Sequence, residues 1–211
     1  MITVNPNLPK CFKFGILGNV FFMAFSIICF AYYSSFKYVG DLPIMDFAFQ
    51  IIAYAAEATG FILMLLAMIW FSKTVRQRYF MKTMFCIYIL VELVLMVFEL
   101  NSQKLDFYKP YSLALAIGHS IFSALVCFTF LVLDPKRTAL EGVIVASVAI
   151  VLVGMIGNII GYRIYFSILT NAVAFAVMFG LISFFISQEK IEIDCYGDKA
   201  RVIEYRSDFF D

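Results

Sequence analysis

FAFQIIAYAAEATGFILMLLAMIWF, residues 47–71, is an unbroken apolar run with a single acid, Glu57, inside it. As a helix rising about 1.5 Å per residue it is about 37 Å long, enough to cross a hydrocarbon core of about 30 Å. A soluble helix of this length keeps a charged face, and this one has none. The reading that follows is a transmembrane helix carrying one deliberate carboxylate.

The rest of the chain agrees. Of its 211 residues 63% are hydrophobic and 15% charged, against about 25% charged in soluble domains. Six apolar runs, residues 14–36, 47–71, 83–100, 111–133, 139–161 and 164–187, are separated by short gaps that hold nearly all the charge. A β-barrel would alternate polar and apolar residues over segments of about ten, and no segment does so. Lys10 and Lys13 followed by FGILGNVFFMAFSIICFA resemble a signal peptide in outline. The run is too long for one, however, and it ends in AYYSSF rather than at a small-residue cleavage site, so it reads as a retained helix. The expected fold is therefore an all-α integral membrane protein, a six-transmembrane-helix bundle in residues 1–187 with a short tail in 188–211.

Basic residues orient the bundle. Lys10, Lys13, Lys73, Arg76, Arg78, Lys82, Lys136, Arg137, Lys190, Lys199, Arg201 and Arg206 lie in alternate gaps, and only Lys37, Lys104, Lys109 and Arg163 lie in the others. The positive-inside rule then puts both termini in the cytoplasm, with the cell (plasma) membrane as the expected location. Tyr32, Tyr33, Tyr38, Trp70, Phe71, Phe107, Tyr108 and Tyr111 fall at the span edges, as interfacial anchors do. The loop KTVRQRYFMK has four cations and no acid, so Lys73, Arg76, Arg78 and Lys82 are expected to sit against anionic lipids at about 1 kcal/mol each. Nothing points to a nucleic acid. The bilayer is the first partner, with a second copy or a partner membrane subunit as the expected protein partner.

Short connections make consecutive helices antiparallel neighbours. The sole break between the last two spans is GNIIGYRI, where Gly157, Gly161 and Arg163 mark a tight external turn. In the tail, KIEID and KARVIEY alternate around YGD, the pattern of a β-hairpin; a partly disordered tail is the competing reading. Residues 17–30 and 117–130 share Gly18/Gly118, Phe22/Phe122, Ala24/Ala124 and Phe30/Phe130, which raises an inverted 3+3 repeat. Five cysteines without CxxC or ligand spacing predict neither disulfide nor metal, and no cofactor is expected.

Polar residues inside spans are costly and normally face protein or water. Here they are Asn19, Gln50, Glu57, Glu92, Glu99, His119, Asn158 and Asn171. Counting from the span edges puts Glu57 and Glu92 each about 15 Å deep, near the midplane, on helices joined by one short loop. Glu99 lies two turns outward from Glu92 on the same face. His119 is the only histidine, and Asn158 and Asn171 flank the outer turn. If these faces converge they form a polar pocket reached from outside, and Glu57, Glu92, Glu99, His119, Asn158 and Asn171 are the candidate ligand-binding or coupling residues. Helix packing through hydrogen bonds is the competing explanation, favoured for the asparagines and Gln50. Ala53, Ala55, Ala56, Ala58 and Gly60 surround Glu57, and Ala56 with Gly60 lets another helix approach closely. A carboxyl desolvated there keeps its proton until an ion, a basic group or water stabilises the anion.

No nucleophile–base motif, HExxH or paired acidic signature suggests an enzyme; a lipid enzyme built on His119 with Glu57 or Glu92 is the weakest class. Transport or conduction of a small solute or ion leads, with the midplane carboxylates coupling protons or binding a cation. The alternative is a sensor or assembly subunit whose outer pocket binds a small ligand or lipid and whose tail contacts a cytoplasmic partner.

Overall fold

In the computed structural model, residues 8–35, 43–75, 78–101, 108–133, 139–160 and 164–188 are described. They form six α-helices: α1 Leu8–Ser35, α2 Pro43–Thr74, α3 Arg78–Asn101, α4 Tyr108–Thr129, α5 Leu140–Ile160 and α6 Ile164–Ser187. A 3-10 turn, Phe130–Leu133, closes α4. Four of the helices, α1, α2, α5 and α6, are long and apolar enough to cross a bilayer, the mark of a membrane protein. In α4 the described side chains give an apolar stretch over Ala116–Thr129.

Four helices, α1 to α4, start earlier than the apolar runs suggest, and proline explains three of the starts. Pro9, Pro43 and Pro110 lie in the first turn of α1, α2 and α4, where the missing N–H costs nothing and the fixed φ is already helical. Hydropathy finds where a helix enters lipid, whereas proline marks where its backbone begins. One consequence is that Cys11, ahead of the first apolar run, lies inside α1, buried beside Thr74.

Consecutive helices all pack on one another, and α6 closes the ring by packing on α1 as well as on α4 and α5. The α1–α2 pair runs antiparallel, with ring contacts Phe12–Phe71, Phe22–Phe61 and Tyr32–Phe49 stepping along both. At its middle the backbones nearly touch: a Cβ on Gly18 would lie 3.1 Å from the Gly60 carbonyl oxygen, and one on Gly60 would lie 3.1 Å from that of Gly18. The close approach expected at Gly60 is thus made to α1. On the α5–α6 pair the crowding falls at Gly154 against Thr170 and at Gly157 against Phe166.

At the end where α1 begins and α2 ends, Phe12, Phe71, Phe85, Phe130 and Phe179 interlock, with ring centroids 5.4–6.2 Å apart. Large apolar side chains cover the outside of every helix, including Ile27, Ile62, Leu90, Leu125, Val145 and Phe184. Two of the four residue pairs matched between the halves differ sharply in surroundings. Gly18 is crowded and Gly118 meets open space, while Phe30 is exposed and Phe130 fully buried, so these positions lend the inverted repeat no support. The turn at 161–163 and the tail beyond residue 188, with its expected hairpin, lie outside the described residues.

Candidate functional site

The polar candidates meet where α3, α4 and α6 come together. Antiparallel packing of α3 on α4 sets the register, with Phe85 against Phe130 and Tyr88 against Phe122. One turn further along α3, Glu92 meets His119, and Glu92 Oε1 lies 2.5 Å from Nε2 of the imidazole. The other ring nitrogen, Nδ1, lies 3.0 Å from Asn171 Nδ2 on α6. That amide nitrogen also donates to Ser123 Oγ at 3.2 Å.

Because an amide NH2 only donates, His119 Nδ1 must be the acceptor, and the ring hydrogen therefore sits on Nε2 and is given to Glu92. Glu92 accepts a second time from the Tyr88 hydroxyl, one turn back on its own helix. Below Asn171, α4 and α6 are joined again by Ser120 Oγ and Ser167 Oγ, 2.8 Å apart. Three helices thus share one chain of hydrogen bonds, Tyr88–Glu92–His119–Asn171–Ser123.

The chain is shut away from the surface: Glu92 is 8% exposed, His119 3% and Asn171 2%. Instead of lining an open outer pocket, these groups bond to one another. Glu57, 5% exposed on α2, lies within electrostatic reach of Glu92. Its Oε2 has no hydrogen-bond partner, and the same is true of Asn171 Oδ1. Two carboxyl groups and one imidazole therefore share a buried region in which two further acceptor oxygens stay unused.

The remaining candidates fall elsewhere. Asn158 is buried on α5 with both amide atoms unpaired, outside the bonded chain. Glu99 belongs to α3, but its side chain lies outside the described ones. Asn19 packs helices, its Nδ2 donating to the Gly15 carbonyl at 2.8 Å and to Met64 Sδ at 3.4 Å. Gln50 is half-buried on α2. Among the described residues no three His, Cys, Asp or Glu side chains converge as metal ligands.

Sequence reasoning passed over Tyr88, Ser120, Ser123 and Ser167. Spacing could have found Tyr88 and Ser123, which lie four residues before Glu92 and four after His119, while Ser120 is adjacent to His119 and points to α6. Ser167 gives no such signal, because only the packing of α4 on α6 brings it in. No protein-family model, curated protein or solved structure matches this chain.

Proposed function

We propose that this protein is a proton-coupled membrane transporter of a small solute or ion, with Glu92 and His119 as the pair that takes up and releases the proton. One observation carries the reading: the only histidine is buried, bonded to a carboxylate on one helix and an amide on another. Buried ionisable pairs inside a membrane are expensive and typical of proton pathways. A pure packing role needs no titratable group, since serine or glutamine links helices at less desolvation cost.

The chemistry follows from the two ring nitrogens. With Nε2–H committed to Glu92, a proton arriving at His119 has only the Nδ1 lone pair to bind. Asn171 must then turn its amide so that Oδ1 accepts from the new Nδ1–H. In that orientation the Ser123 hydroxyl donates to Oδ1 in place of accepting from Nδ2, so both states of the imidazole are satisfied. Protonation on α4 is thereby read by a rotation on α6, which itself packs on α1, α4 and α5.

The proposal takes α3 and α4 as spans too. They have 24 and 22 residues, or about 36 and 33 Å of helix, and carry Leu90, Leu93, Val94, Ile121, Leu125 and Phe128 exposed on their outer faces as lipid-facing residues. The apolar runs at residues 83–100 and 111–133 lie in these two helices, and each is long enough to span. Both termini are then cytoplasmic, in the cell membrane, and the phenylalanine cluster lies on the inner side. Lys10 and Lys73 bracket Trp70 at that end, 4.6 and 5.4 Å from its ring centre, and Lys73 with Arg76, Arg78 and Lys82 faces anionic lipid.

The test is proton flux in proteoliposomes under an imposed pH gradient. Wild type should carry protons, while Glu92→Gln and His119→Asn should lower the rate by about a hundredfold, the order of a lost acid–base group. Flux equal to wild type in both variants rules the pair out.

A further inference from the structure

Glu57 and Glu92 look equivalent by depth, but their surroundings separate them. Glu92 accepts from His119 and Tyr88. Glu57 Oε2 accepts from nothing, although the residue is 95% buried. An unmet carboxylate oxygen in a membrane interior is costly, and so is an unmet amide oxygen. Asn171 Oδ1 is another such atom, as are Asn19 Oδ1 and Asn158 Oδ1; it alone belongs to the amide that bonds His119, its Nδ2 being held by His119 and Ser123.

Glu57 Oε2 and Asn171 Oδ1 belong to one level of the bundle. Phe25, Ala53 and Ile168 form a buried cluster joining α1, α2 and α6. One helical turn further along α2 comes Glu57, and one turn further along α6 comes Asn171. Once Glu57 is ionised both atoms accept only, and the nearby cationic candidate, His119, already has its ring nitrogens bonded.

We infer that Glu57 Oε2 and Asn171 Oδ1 form a binding site for a small monovalent cation, an alkali-metal ion or a primary ammonium group, and that this cation exchanges with the proton on His119. The exchange follows from the Asn171 amide. Its oxygen serves the cation while His119 is neutral, but it must turn to His119 Nδ1–H when the ring gains a proton, and the NH2 hydrogens then swing toward the cation and repel it. One amide oxygen cannot serve both. Binding of either species therefore weakens the other by the same factor.

Several groups face this pair. Titratable groups come from α3 as Glu92 and Tyr88 and from α4 as His119 and Cys127, while Cys29 of α1 and Tyr165 of α6 pack on the adjoining Phe25–Ala53–Ile168 cluster. On α5 the one charged residue is Glu141, at the opposite end from Asn158. No basic side chain other than His119 lies among them.

This inference rests on His119 as the proton holder, and its test uses binding rather than transport. Purified full chain in detergent is melted in NaCl, KCl or ethylamine hydrochloride, with choline chloride holding the ionic strength constant. At about ten times the dissociation constant, a bound cation should raise the melting temperature by about 3–5 °C. The rise should be larger at about pH 8 than at about pH 6, because the cation and the proton compete. A response to sodium or potassium assigns an inorganic ion, and a response to ethylammonium alone assigns the ammonium group of an organic solute.

Glu57→Gln should remove the response, whereas His119→Gln should keep it and flatten its pH dependence. Should either variant fail to fold, wild type still decides, because a carbodiimide that modifies membrane carboxyls should label Glu57 and the cation should protect it. If no salt outperforms choline and none protects Glu57, the site is refuted. A pH dependence unchanged in His119→Gln refutes the exchange through Asn171, leaving competition at the Glu57 carboxyl itself. Cation binding without proton flux in liposomes would sink the transport reading and keep the site; flux without cation binding would do the reverse.

Discussion

His119 satisfies both ring nitrogens because two different helices supply partners of opposite kind, an acceptor from α3 and a donor from α6. Removing the ring strands Glu92 in a buried position, and breaking a buried pair from one side costs about 3–5 kcal/mol. His119→Phe should therefore lower stability by about 3 kcal/mol, read from unfolding in mixed detergent micelles. Adding Glu92→Leu should recover at least about 1 kcal/mol, because the stranded acid is gone. A double variant no more stable than the single one would mean that the two side chains do not interact. The residue types of this site were legible in the sequence, since an acid and a lone histidine inside apolar runs stand out. Their pairing was not. Depth counting made Glu57 the neighbour of Glu92, and the two are within electrostatic reach, but hydrogen bonding depends on the rotation of each helix about its axis, which apolar runs that are greasy all round leave open.

At the scale of helices, glycine decides how closely backbones approach. Gly18 and Gly60 each face the other's carbonyl oxygen, and a backbone atom cannot move aside as a side-chain tip does. Gly60→Ala should cost about 1–3 kcal/mol through overpacking, outweighing the helix propensity gained. Gly118→Ala provides the contrast, since a Cβ there meets nothing within 4 Å and should be neutral or stabilise by up to about 1 kcal/mol. Equal melting temperatures for the two variants would mean that α1 and α2 do not cross at this point. The small-residue pattern around Glu57 announced a close approach, yet it could not say which helix made it. Helix existence was legible from hydropathy, and the starts at Pro9, Pro43 and Pro110 were legible in principle from proline chemistry, but the apolar runs placed them three to six residues too late.

For the whole molecule the deciding question is whether α3 and α4 cross the membrane with the other four helices. The apolar runs at residues 83–100 and 111–133 are each of span length and hold Glu92 and His119 between them, so the candidate site and the crossing of these two helices stand or fall together. If all six helices cross, the connection between α3 and α4 lies outside the cell; if only α1, α2, α5 and α6 cross, it lies inside. A single cysteine at Asp106 separates these arrangements, in a background where Cys11, Cys29, Cys86, Cys127 and Cys195 are replaced by alanine. A membrane-impermeant maleimide added to intact cells should label position 106 fully and should label a cysteine at Lys13 or Lys73, both exposed near the basic end, only after lysis. Protection of position 106 in intact cells would leave the Glu92–His119 pair in helices that do not span, and the proton pathway through them would have no second side to reach.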